Sequence, residues 1–184
     1  MIRQILLIIV VLPLGLAYLV TAIGLALPRD YRIIRELTVS ASPDQVFPYI
    51  NELKNRKAWS PYQGPATKTT FSGPVGGVGS IMNWMSPNSA GFIRIDRSEQ
   101  DSLVEYRTYF SNGYPTATSR FHFEPLVDGS GNVGTRIVWD SFGKVPVNPF
   151  KRYYILRIDE STGGQHFKEL VNLKNHLEGN GELS

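Results

Sequence analysis

The chain has 184 residues, 42% of them hydrophobic and 19% charged, with no cysteine and a net charge of +3. The apolar share describes a folded protein and excludes a disordered one, while the missing cysteine excludes a disulfide framework, a thiolate metal site and a cysteine nucleophile. Setting aside Arg3 and Arg29 leaves 17 basic against 16 acidic residues, scattered without a Lys/Arg run, so no nucleic-acid partner is expected.

The first element is the uncharged run 5–27, ILLIIVVLPLGLAYLVTAIGLAL. It is as long as the ~20 helical residues that cross a bilayer core, and Pro13, Gly15 and Gly24 are tolerated in lipid, where internal hydrogen bonding is obligatory. Residues 1–28 are therefore expected to form a transmembrane anchor, and the lipid bilayer is an expected partner. The competing reading is a cleaved signal peptide, which has a shorter apolar stretch and a small-residue cleavage site. Two cues on orientation oppose each other: Arg29, Arg32 and Arg35 favour a cytosolic domain, whereas the short N-terminal tail favours export of the domain behind the helix. The expected location is a membrane crossed once, such as the bacterial cytoplasmic membrane, with the side of the soluble part left open.

Residues 31–40 (YRIIRELTVS) are rich in β-branched side chains and read as a first strand. Ser42 then caps a helix with Pro43 in its first turn and Val46, Phe47 and Ile50 on its apolar face. A second short helix is expected over 54–59, stopping before Pro61. Alternating runs separated by turn residues predict strands near 66–72, 78–85, 90–98, 102–110, 117–125 and 133–142. Asn148 and Pro149 open a last helix to about Leu177, with Phe167, Leu170, Val171, Lys174 and Leu177 at helical spacing and Gly163 and Gly164 loosening its middle. Residues 29–180 thus form one α+β domain, with a disordered tail at 181–184. A curved antiparallel sheet of about seven strands needs a cover for one face, and the terminal helix is the element large enough.

Three stretches carry a resemblance: LTVSASPDQVFPYINELKNRKAWSPY at 37–62, GTRIVWDSFG at 134–143 and GGQHFKELVNLKNHLEG at 163–179. Together they resemble the START-like, polyketide cyclase and dehydrase (SRPBCC) superfamily. That resemblance implies a helix-grip fold and a cavity between sheet and long helix for lipids, polyketides or other apolar small molecules, and it implies no particular reaction.

Period-2 alternation puts Ile93, Ile95, Val104, Tyr106, Phe110, Phe121, Phe123, Ile137 and Trp139 on one face of their strands, with Arg94, Asp96, Arg107, Arg120, His122, Glu124, Arg136 and Asp140 largely on the other. The expected cavity set is Trp59, Met82, Trp84, Ile93, Ile95, Tyr106, Phe121, Phe123, Ile137, Trp139 and Phe167, a surface that serves equally as core. Packing is the favoured role for Trp59, while Trp84 beside Met82 and Met85 suits an adaptable apolar pocket.

No catalytic motif emerges, and no cofactor or metal is expected. SGPVGGVGS at 72–80 lacks the Lys-Ser/Thr of a phosphate loop and reads as a hairpin turn. His122, His166 and His176 lack zinc-site spacing, and His122 points outward between Phe121 and Phe123. The leading expectation is a membrane-tethered binding or transfer module for an apolar small molecule. A cyclase-like or hydrolytic enzyme using Asn83, Tyr106 and Thr135 is one alternative, and a structural or interaction protein of the membrane is another. Protein partners are left open.

Overall fold

A computed structural model describes residues 2–61, 66–87, 89–111, 116–127, 129, 131 and 133–179, with side chains from Ile9 onward. The expected tail at 181–184 lies outside them. Seven strands take the expected order: β1 (Asp30–Val39), β2 (Lys68–Ser72), β3 (Ile81–Ser86), β4 (Ser89–Glu99), β5 (Leu103–Phe110), β6 (Ala117–Val127) and β7 (Val133–Lys144). They form one antiparallel sheet in the order β1-β7-β6-β5-β4-β3-β2. The first strand closes onto the last, from Asp30 opposite Lys144 to Val39 opposite Thr135.

Between β1 and β2 lie helix α2 (Pro43–Asn51) and a 3-10 helix (Leu53–Ala58). Ser42 opens α2: its backbone N–H donates to the Gln45 side-chain oxygen at 3.0 Å, satisfying a donor that the helix start leaves free. Val46, Phe47 and Ile50 turn inward, and Phe47 meets Phe123 of β6 edge-on at 5.9 Å. The glycine-rich stretch 72–80 links β2 to β3 as a hairpin connection, pinned by the Gly79 N–H on the Ile95 carbonyl at 2.9 Å.

The two faces of the sheet separate as the alternation requires. Ile95, Val104, Phe121 and Ile137 are fully buried, with Ile93, Tyr106, Phe123 and Trp139 nearly so. The other face carries ion pairs: Arg32 binds Asp140 through two bonds of 2.8 Å, Arg94 binds Asp96, Arg120 binds Glu105, and Arg136 joins Glu36 to Glu124. This lattice explains why the bases look scattered in sequence.

From Pro149 to Leu177 the chain takes a helical path of changing pitch. Helix α3 (Pro149–Arg152) passes into a 3-10 segment (Tyr153–Arg157), a π turn (Asp159–Gly163) and helix α4 (Gly164–Leu177). The glycine pair was expected to loosen the helix, and the wide turn ends there. Gly163 is also a close approach, since a Cβ would lie 2.1 Å from the Arg35 guanidinium, which donates to the Gly163 carbonyl at 3.2 Å. Helix α4 lies across the sheet with Glu169, Leu170 and Leu173 buried, completing the α+β helix-grip arrangement.

Helix α1 (Ile2–Ala26) contains one window, Ile9–Ala26, that is long and apolar enough to cross a membrane. Its last two turns pack on α3. The Tyr153 hydroxyl donates to the Val20 carbonyl at 2.6 Å and Arg152 donates to the Leu25 carbonyl at 2.6 Å. Gly24 makes this approach possible, because a Cβ there would sit 2.5 Å from the Pro149 carbonyl oxygen.

Candidate ligand-binding site

Between the concave sheet face and the α3–α4 path lies a cavity of about 800 Å³, within the range of sites that enclose small organic ligands. Apolar walls come from Met82, Trp84, Ile93, Phe110 and Trp139, and the helical side contributes Ile158, Gln165, His166 and Glu169. Tyr31, Lys144, Val145, Pro146 and Tyr154 line the end next to α1.

The deepest polar feature is a charged cluster. Arg56 donates to Glu169 at 2.9 Å and to the Tyr106 hydroxyl at 2.8 Å, and the Ser60 hydroxyl donates to the other Glu169 oxygen at 2.8 Å. The Arg56 guanidinium also lies 4.7 Å from the centre of the Trp59 ring, a contact that stabilises a desolvated cation. Burial works against the Arg56 charge, but Glu169 and Tyr106 outweigh it and hold the guanidinium protonated. Burial pushes the Glu169 carboxyl up, opposed by Arg56 and Ser60. It raises Tyr106 as well, with Arg56 pulling the other way.

A second feature is the stack of His166 on Trp139, with ring centroids 3.9 Å apart and planes 20° from parallel. Among the described residues neither His166 Nδ1 nor Trp139 Nε1 has a hydrogen-bond partner, and both atoms are buried. Burial, reinforced by Arg56 and Arg35, pushes the His166 imidazole down to about 3, so it is neutral at physiological pH.

The structure distributes the eleven expected cavity residues among three places. Met82, Trp84, Ile93, Tyr106 and Trp139 line the cavity. Trp59, Ile95, Phe121, Phe123 and Ile137 are buried in the core outside that lining. Trp59 is held there by its Nε1–H on the Tyr49 carbonyl at 3.0 Å. Phe167 is 45% exposed and faces away, and His166, one position earlier, takes the inward place. The alternation that directs Met82 and Trp84 inward sends Asn83 and Met85 to the other face, and Met85 is 64% exposed. Thr135 is buried but spends its hydroxyl on the Ala41 carbonyl at 2.6 Å, so of the proposed reactive trio only Tyr106 reaches the cavity. His122 is exposed on the outer face. Among the described residues no group of three His, Asp or Glu side chains could hold a metal.

Sequence reasoning missed Arg56, Ser60, His166 and Glu169. The available signal was the phase of α4: on a wheel of 3.6 residues per turn, His166, Glu169, Leu170, Leu173 and Leu177 share one face, and Phe167 lies about 100° around from its midpoint.

No family model matches the sequence, and no curated protein sequence matches it. Solved structures do match in shape. Norcoclaurine synthase from Thalictrum flavum, in complex with dopamine and hydroxybenzaldehyde, is 16% identical with a TM-score of 0.59, covering 88% of this chain and 94% of its own. A truncated form of the same enzyme gives 17% identity and a TM-score of 0.60 over 80% of this chain and 93% of its own. A Staphylococcus epidermidis protein solved by NMR gives 17% and 0.59 over 83% and 93%. The chain therefore shares the helix-grip fold of these structures, a curved antiparallel sheet and a terminal helix with a cavity between them.

Proposed function

We propose that the protein is a membrane-tethered module that binds an apolar small molecule, lipid-like or polyketide-like, between its sheet and its terminal helix, and holds it for exchange or transfer. The observation that carries this reading is the 800 Å³ cavity, in which large apolar side chains such as Met82, Trp84, Ile93, Phe110 and Trp139 alternate with serine and threonine hydroxyls. Burying such a ligand removes apolar surface from water at roughly 25 cal/mol per Å². The tether rests on the membrane-length window in α1, which holds the cavity beside a lipid store and raises the local ligand concentration. Native mass spectrometry of the full chain extracted in detergent tests the binding: a bound small molecule is the expected result, and an empty protein from several lipid extracts would sink it. Retention in the membrane pellet through carbonate and high-salt washes tests the tether, and release would point to peripheral attachment or a cleaved signal.

A second reading, acid–base catalysis on the bound molecule, is favoured by Tyr106, Arg56 and Glu169 reaching the same cavity. Turnover of the copurified ligand separates it from binding alone.

A further inference from the structure

The cavity and the end of α1 meet at one end of the sheet, where β1 begins and β7 ends: Tyr31, Lys144 and Val145 line the cavity there, Asp30 pairs with Lys144, and Arg29 and Val145 share a backbone bond of 2.7 Å. The segment after this pairing exposes a band of large apolar side chains, with Val147 at 62%, Phe150 at 61%, Tyr154 at 43% and Leu156 at 66%. Such a concentration in ten residues marks a surface that has a partner. Residues 144–158 also contain Lys144, Lys151, Arg152 and Arg157 and no acid; Lys144 pairs with Asp30 and Arg157 with Glu160, so the charge that complements anionic headgroups is a modest excess centred on Lys151 and Arg152.

The depth of α1 decides what that partner is. At 1.5 Å per residue the stretch 5–20 is only about 24 Å long, short of a hydrocarbon layer of about 30 Å. A spanning α1 must therefore use the turns after Val20 as well. Those are the turns on which Pro149, Arg152 and Tyr153 rest, with Tyr153 reaching the Val20 carbonyl itself. The rise from Val20 to Ala26 is about 9 Å, so α3 sits level with the outer hydrocarbon and headgroup region, where Tyr and Arg have their preferred depth.

We propose that residues 147–156 are a membrane-docking surface, which seats on the bilayer beside α1 and turns this end of the cavity toward lipid. This inference rests on the tethered reading of α1 and adds the surface and its orientation. Tyr154 and Ile158, which line the cavity, then stand between ligand and bilayer, and an apolar ligand enters without crossing bulk water.

The cysteine-free chain makes the test direct. Single variants Leu16→Cys, Phe150→Cys, Leu156→Cys and Val78→Cys of the full chain are labelled with an environment-sensitive fluorophore. Each is reconstituted into vesicles of phosphatidylcholine with a minor fraction of phosphatidylglycerol. Brominated phospholipid then quenches from the bilayer and iodide from water. The expected result is loss of emission to brominated lipid at positions 16, 150 and 156, and to iodide at position 78, in the β2–β3 connection at the far end of the sheet. Iodide quenching at 150 and 156, with lipid quenching at 16, would overturn the docking surface, leave the tether standing and hand the apolar band to a protein partner. Iodide quenching at 16 would remove the tether and the docking surface together. Lipid quenching at all four positions would show unspecific adsorption and also overturn the proposal.

Discussion

Arg56 and Glu169, 113 residues apart, meet at 2.9 Å between the 3-10 helix and α4, with side chains only 12% and 3% exposed. Removing one partner leaves a buried charge without compensation, a loss of about 3–5 kcal/mol. Arg56→Met and Glu169→Leu should each lower the denaturation midpoint strongly in detergent-solubilised full chain. The double variant should recover most of that loss. If each single variant melted like the parent, the pair would not be the keystone of the sheet–helix contact.

The His166 stack carries a pH dependence. An ordinary imidazole titrates near 6.5, and the folded one at about 3. Between those values the unfolded state binds the extra proton, so stability is full above 6.5 and falls as pH drops toward 3, by up to about 1.4 kcal/mol per pH unit for one proton. Unfolding curves compared between pH 7 and about 5, where most carboxylates keep their charge, should show this decline, and His166→Leu should flatten it. Equal slopes in parent and variant would place the imidazole in water.

Trp139 and Phe123 separate ligand effects from packing effects. Trp139 lines the cavity, so Trp139→Phe should change affinity for an apolar fluorescent probe while costing less than about 1.5 kcal/mol, because the lost ring area is offset by removal of a buried unpaired N–H. Phe123 packs against Phe47 outside the lining. Phe123→Leu should therefore lower stability and leave probe affinity unchanged, and His122→Ala should change neither. Loss of probe binding in His122→Ala alone would mean that the strand register is wrong.

Gly24 tests the join between helix and domain. Gly24→Leu places a side chain where the Pro149 carbonyl lies 2.5 Å from the Cβ position. Limited proteolysis should then cut within residues 145–157 faster than in the parent, while the core of the sheet stays protected. Unchanged cleavage would mean that α1 and α3 do not pack.

The sheet was legible because side-chain direction in a strand has a period of two, and Ile93, Ile95, Phe121 and Trp139 obey it without exception. Strand edges were less so: β3 begins at Ile81, not near 78, because the glycine-rich connection continues through Gly79. The charged cluster was illegible for a different reason. Arg and Glu default to solvent, and nothing local to Arg56 announces a partner so far along the chain. Phe167 misled because a large aromatic ring draws the helix phase toward itself, whereas the buried face of α4 is set by Leu170 and Leu173.

Only three residues separate the last residue of α1 from the first of β1, a reach of about 10–14 Å even fully extended. Arg29 within them is tied through its backbone to Val145, and α3 braces the helix from the side. Helix and domain consequently tilt and turn as one body. A long flexible leash would let a domain ferry cargo between two distant surfaces; on the proposed binding reading, this short, braced joint would instead make a fixed receptacle, to which both donor and acceptor of the ligand must come.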